Sequence, residues 1–196
     1  MTVYFTADSH FGHKGIIRLS DRPFRSVQHM DDGLIARWNA RVAPEDHVYH
    51  LGDFCFTGSK GARKVLEKLN GAITLVRGNH DSENTQRLDR WERVVDLLEI
   101  AVGGQRLVLC HYPLMEWPGA FKGVLHLHGH THGAIPPNRM RADVGVDVWG
   151  YRPVRLEEIR ARLADAAPFH PTDNYPDRAQ RSGDGSDEAP GEDDGD

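Results

Sequence analysis

The stretch Val3-Tyr4-Phe5-Thr6-Ala7-Asp8-Ser9-His10 sets the reading of the whole chain. A short apolar run stops abruptly at a carboxylate and an imidazole, the pattern of a buried strand that delivers polar groups at its end. The event recurs: runs at 47–51, 72–77, 106–110 and 123–127 lead into Gly52-Asp53, Gly78-Asn79-His80-Asp81, His111 and Gly129-His130-Thr131-His132. A sixth run, 142–149, alternates more clearly and precedes Gly150.

Helical patterns fill the intervals. Met30, Leu34, Ile35, Trp38 and Val42 share one helical face, with Ser26 placed as its N-cap. Val65, Leu66 and Leu69 mark a second helix between Ser59 and Gly71, and Leu88, Trp91, Val95 and Leu98 suggest a third. Leu156, Ile159 and Leu163 make a last one after Pro153. Strands alternating with helices imply a layered domain of α and β elements. The pattern ends near Pro168, and 183–196 offers almost no apolar residue to offset ordering entropy. The expected organisation is a domain over 1–168 and a disordered acidic tail over 169–196.

Composition narrows the class. The 196 residues are 39% hydrophobic, enough for one real core, and 24 basic against 29 acidic groups give a net charge of −5. Nine of those acids lie in 173–196, so 1–172 is close to neutral and lacks the basic stripe of a duplex nucleic-acid binder. Two cysteines are too few for a disulfide framework. The N-terminus has no basic leader and no run of eighteen apolar residues occurs, so a cytoplasmic protein without a membrane partner is expected. Twelve histidines, several at the ends of apolar runs, hint at metal.

In layered folds the strand ends and the loops after them form one edge, where residues remote in sequence converge. Imidazole, carboxylate and one carboxamide, without thiolate, suit Mn, Fe or Zn in an open site rather than a closed structural zinc site. Two metals about 3.5–4 Å apart need a shared ligand, and the carboxylate of Asp53 on its tight turn is the natural bridge.

The ordered blocks Asp8-Ser9-His10, Gly52-Asp53, Gly78-Asn79-His80-Asp81, His111 and Gly129-His130-Thr131-His132 resemble those of the calcineurin-like metallophosphoesterases. The starts Asp8-Ser9-His10-Phe11-Gly12-His13 and Arg22-Pro23-Phe24, with the closing 144–151, are similar to a subgroup of small, cap-less bacterial and phage phosphoesterases. The resemblance implies an α+β fold, a four-layer α/β/β/α sandwich of two mixed sheets. It implies one metal on Asp8, His10, Asp53 and His132 and a second on Asp53, Asn79, His111 and His130, most simply two Mn ions with Fe or Zn as alternatives. It further implies that a metal-bridging hydroxide attacks phosphorus while His80 assists the leaving group and Asp81 orients His80.

Other residues carry weaker signals. His13, Arg22, Asn39 and Arg77 are candidate contacts to a phosphate or polar substrate group. The three last-named equally fit a turn salt bridge, a helix C-terminal cap and an exposed strand-end charge. His50, His126 and His128 read as buried, hydrogen-bonded supports. Trp38 and Trp91 read as core, and packing is the simpler role for Trp149 and Tyr151. With no room for a cap domain, a phosphodiesterase is expected, acting on a phosphoester such as a nucleotide or short oligonucleotide. The alternatives are a phosphomonoesterase of small metabolites or nucleotides and a non-catalytic scaffold. Truncation after Pro168 is expected to leave the thermal midpoint and turnover nearly unchanged; a large fall in either would place the domain boundary elsewhere.

Overall fold

A computed structural model describes residues 1–169, and the expected tail from residue 170 onward lies outside them. The chain runs β1 (Val3–Thr6), α1 (Lys14–Leu19), α2 (Val27–Asn39), β2 (His47–His50), α3 (Gly58–Leu66), β3 (Ala72–Val76) and α4 (Glu83–Gln86). There follow β4 (Arg93–Val95), β5 (Leu97–Val102), β6 (Gln105–Cys110), β7 (Leu125–His128), β8 (Arg141–Asp143) and α5 (Leu156–Ala164).

The strands form two four-stranded sheets, ordered β1-β2-β3-β4 and β5-β6-β7-β8, with helices flanking the pair. All ladders of the first sheet are parallel, and a single antiparallel bridge joins Phe5 of β1 to Val154. The second sheet is mixed, with β5 antiparallel to β6 and β6, β7 and β8 parallel. β1, β2, β3, β6 and β7 each end where a candidate ligand block begins.

Period-two alternation explains the layering. Phe5, Leu51 and Val76 of the first sheet meet Leu107, Leu109, Leu125 and Leu127 of the second in a shared interior. Tyr4, Val48, Ile73 and Leu75 face the other way, toward Ile16, Met30, Leu34, Trp38 and Leu66 of the helices. Val108, on the outer face of the second sheet, lies under Trp117 and Val124, and the Phe169 ring packs at a tilt against Trp117, centroids 5.1 Å apart. α5 adds Leu156, Ile159 and Leu163 to the interior. Trp38 and Trp91 are both core residues, Trp38 on the buried face of α2 and Trp91 on the link between α4 and β4.

Two readings need correction. The helix expected through Leu88, Trp91, Val95 and Leu98 does not form; that segment follows α4 as a turn and then the strands β4 and β5. Three-and-four spacing there is coincidental, since Leu88 and Trp91 join the helix-side core while Val95 and Leu98 reach the interior between the sheets. The better signals are the alternation of Leu98, Ile100 and Val102 and the Gly103-Gly104 pair. Both glycines have positive φ and close a two-residue hairpin to β6. The sixth run ends as a strand at Asp143, because Gly145 crosses to bridge Ala7 of the first sheet. α2 is capped by Ser26 as expected, its side chain accepting from the His29 amide.

Leu127 is fully buried between the sheets. Leu127→Ala should destabilise the fold by about 2–5 kcal/mol, read as a lower urea midpoint at an unchanged slope.

Candidate metal centre

Both sheets direct the C-terminal ends of their parallel strands to one edge, and hydrogen bonds hold the loops there together. The amides of Asp8 and His10 donate to the Gly52 and Asp53 carbonyls at 3.0 Å each. The His130 amide reaches across to both carboxylate oxygens of Asp8, at 3.1 and 2.9 Å, and the His80 amide donates to Asp53 Oδ1 at 2.9 Å. The loops touch so closely that a Cβ on Gly52 would lie 2.6 Å from the Gly78 nitrogen, and one on Gly78 would lie 2.3 Å from Asp53 Oδ1. Among the described residues, seven non-glycine residues have positive φ, and five of them are Asp8, His10, Asp53, His130 and His132. Left-handed backbone is disfavoured for such side chains, so its concentration here marks a site where surrounding structure imposes geometry.

Two groups of side chains lie within ligand distance of each other, Asp8 with His10 and His132, and Asp53 with His111 and His130. Asp53 spans both: Oδ2 is 3.6 Å from His10 Nε2 and Oδ1 is 3.6 Å from His111 Nε2. Asn79 joins the second group, its Oδ1 lying 3.1 Å from His111 Nε2. His111 Nδ1 donates to the Leu51 carbonyl at 2.7 Å, which in the neutral tautomer leaves the Nε2 lone pair facing Asn79.

These residues fit divalent cations. Both ring nitrogens of His10 are buried without a hydrogen-bond partner, and a cation at Nε2 would satisfy one of the two. Burial, then the neighbouring His132 and Arg22, pushes the His10 imidazole down to about 2, keeping a lone pair free. Burial, reinforced by Asp143 and resisted by the His130 amide, raises Asp8 well above the usual carboxylate range, as expected where several acids share a dry site.

Behind the candidate ligands stands a layer of supports. His132 Nδ1 donates to Asp147 Oδ2 at 2.7 Å, leaving Nε2 free. Asp147 takes two parallel bonds from Arg22, each 2.8 Å. Burial works to raise the Asp147 carboxyl, but the bonds from His132 and Arg22 hold it below its ordinary value. Asp143 accepts from Thr131 Oγ1, Gly133 N and Gly145 N at 2.7–3.0 Å and so shapes the Gly129–His132 turn. His50 contacts Ser9 Oγ at 2.8 Å, and His126 lies 3.1 Å from both the Val108 carbonyl and the Leu114 amide. His128 donates to the Gly129 carbonyl at 2.8 Å. The support role expected for these three histidines fits their positions.

Asp143 and Asp147 were not singled out from sequence as functional. A lone aspartate in an alternating run reads as a surface residue, and only the crossing to Ala7 turns it inward.

The open cavity above this edge measures about 590 Å³ and is lined by His10, His13, Asp53, Asn79, His80, His130 and His132 among others. His13 stands in it as expected. Three other proposed substrate contacts do not. Arg22 is fully buried, with its guanidinium spent on Asp147, the Ser9 carbonyl at 2.9 Å and the Asp8 carbonyl at 2.7 Å. Asn39 ties the end of α2 to the loop before β3, bonding the Lys68 carbonyl at 2.7 Å and the Asn70 amide at 2.9 Å, so it sits at the opposite end of the sheet. Arg77 pairs with Asp96 outside the cavity. Asp81 also departs from its expected part. Its oxygens accept from the amides of Asp53, Phe54 and Gly78 at 2.8–2.9 Å, so it clamps two ligand loops instead of orienting His80. His80 itself is exposed at the cavity wall, with Nε2 4.0 Å from Asp53 Oδ2.

Two facing sheets with such a cluster at their shared edge define a class. Residues 1–146 match the calcineurin-like phosphoesterase superfamily domain, and the chain belongs to that family of metal-dependent hydrolases of phosphoric esters. It is 36% identical over 166 residues to an uncharacterized protein of Methanocaldococcus jannaschii, covering 80% of this chain and 88% of that one. It is 30% identical to the gene 66 protein of Mycobacterium phage D29, covering 83% and 96%. A solved structure of a protein of unknown function from Aquifex aeolicus superposes with a TM-score of 0.63 at 26% identity, covering 81% of this chain and 97% of that one.

Asp147→Asn keeps the shape beside His132 while removing the charge that fixes its tautomer. It should weaken binding of Mn²⁺ by about 10- to 100-fold in calorimetric titration without unfolding the protein.

Proposed function

We propose that the protein is a binuclear phosphodiesterase in which Asp8, His10, Asp53 and His132 hold one divalent cation and Asp53, Asn79, His111 and His130 hold the other. The observation that carries this reading is the position of Asp53, one oxygen turned to each imidazole group. Mn²⁺ is the ion we favour for both positions, because the donors are nitrogen and oxygen without thiolate. Bound cations would supply Lewis-acid charge on the phosphoryl oxygens and make a nucleophile available from water near neutral pH.

The chain's own residues do the rest. His80 is not in either donor group, yet it borders the cavity beside Asp53, where it gives a proton to the departing ester oxygen. The P–O bond to that oxygen breaks as a water oxygen joins phosphorus, so one water is consumed and a monoester and an alcohol are released. Asp81 holds the Gly52–Phe54 and Gly78–Asn79 loops in register, and Arg22 and Asp147 hold His132. The open cavity has room for groups on two ester oxygens, which favours a diester over a monoester. Among the described residues no helix is long and apolar enough to cross a membrane, and two free buried thiols, Cys55 and Cys110, are in keeping with the cytoplasm as the compartment we propose.

Wild type supplied with Mn²⁺ should hydrolyse bis(p-nitrophenyl) phosphate faster than p-nitrophenyl phosphate, and Asp53→Asn should abolish both. His80→Ala should lower kcat by about 10²- to 10⁴-fold for an alkyl leaving group and by much less for p-nitrophenolate, which departs without a proton. Turnover of the monoester alone would make the protein a phosphatase; silence on both esters with two ions bound would make it a scaffold.

A further inference from the structure

Two large aromatic side chains stand in solvent at the rim of the candidate centre, on different sides of it. Phe56 is 48% exposed and stacks on His13, the rings 4.0 Å apart and 9° from parallel, and lies 5.2 Å from the His80 ring. Tyr112 is 42% exposed and lies 5.0 Å from His111 and 4.9 Å from His130. One aromatic thus borders His80 and the other borders the second donor group.

A second hollow continues from the first. It measures about 400 Å³, is lined by Cys55, Phe56, Gly58, Asn79, His80 and Ser82, and shares Asn79 and His80 with the main cavity. His80 is therefore a ridge between a place for phosphorus and a place for whatever leaves with the oxygen it protonates. The space over Gly58 is open, since a Cβ there would meet nothing within 4 Å. The Phe56 ring is held in advance: its amide donates to the Phe11 carbonyl at 2.8 Å and His13 backs one face.

The lining selects the chemistry of the occupant. One aromatic ring among a thiol, a carboxamide, an imidazole and a hydroxyl does not enclose an acyl chain. It suits a flat ring with polar edges, and base stacking on a preset aromatic tolerates any base.

We propose that the hollow beside His80 is the leaving-group subsite for a nucleoside, its base stacking on Phe56, and that Tyr112 offers a second platform to the nucleoside retained with the phosphate. The substrate class is then a phosphodiester between two unpaired nucleosides, as in a dinucleotide or a short single strand. Paired bases cannot reach the two rings without leaving their stack. This inference rests on the phosphodiesterase reading and adds the identity of both ester substituents.

The test compares the thymidine dinucleotide dTpdT with an analogue whose leaving nucleoside lacks its base, in wild type, Phe56→Ala and Phe56→Trp. Removing the base, or replacing Phe56 by Ala, should each raise KM by about tenfold with little change in kcat, while doing both should add nothing further. Phe56→Trp should keep the preference. Calorimetric binding of the non-hydrolysable methylphosphonate dinucleotide should weaken about tenfold in Phe56→Ala and in Tyr112→Ala. Circular dichroism verifies that each variant is folded. Equal KM for the two substrates in wild type, with bis(p-nitrophenyl) phosphate still hydrolysed, would overturn the subsite and leave the phosphodiesterase standing. No turnover of any diester would instead remove the phosphodiesterase reading, and unchanged binding in the Phe56 variant would overturn the subsite on its own.

Discussion

The contact on which the rest of the structure depends is the hydrogen bond from the His130 amide to the buried carboxylate of Asp8. It links the loop after β1 in one sheet to the loop after β7 in the other, and it brings both donor groups to one edge. The same contact gathers acids in a dry place: Asp8, Asp53, Asp143 and Asp147 all stand near one another, and burial together with mutual repulsion raises Asp8. Such a cluster holds together only if each oxygen has a donor or a cation to face. The chain supplies donors wherever it can, from Arg22, Thr131 and backbone amides, and leaves His10 with none. That division separates the scaffold of the site from the part open to ions.

Function divides along burial in the same way. Of the candidate ligands, Asp8, His10, Asp53 and His111 lie almost wholly out of solvent, held by loops that interlock at Gly52 and Gly78, while Asn79, His130 and His132 reach the open cavity. His80 stands exposed one residue beyond Asn79, as a proton donor to an incoming ester would need. Substrate choice then belongs to what surrounds His80, which here is a pair of open hollows with aromatic rims instead of a closed pocket.

Legibility followed the physical range of each interaction. Strand ends could be read because a buried strand leaves a continuous apolar run, and the ligand blocks could be read because they follow those runs directly. α1 was missed because six residues are too few to show a period, and β4 and β5 were mistaken for helix because Leu88, Trp91, Val95 and Leu98 fall at helical spacing by chance. Sequence leaves Arg22 open between a substrate contact and a salt bridge, and the salt bridge forms; its partner Asp147 is 125 residues away, and no local pattern announces that pair. Asp81 misled for the opposite reason. Adjacency to His80 suggested a partnership, whereas the tight turn sends its carboxylate back to the amides of Asp53, Phe54 and Gly78.

The sequence by itself determined the layered architecture and the identity of the residues at its candidate site edge, since both follow from apolar periodicity and from polar groups placed at the ends of buried runs. Only the tertiary structure decided which of those residues face an ion, which hold another residue in place and which meet solvent. Those roles depend on contacts between loops from different sheets, such as Asp8 with His130 and Arg22 with Asp147. A contact of that kind is set by how two sheets pack, and packing is a property of the folded whole.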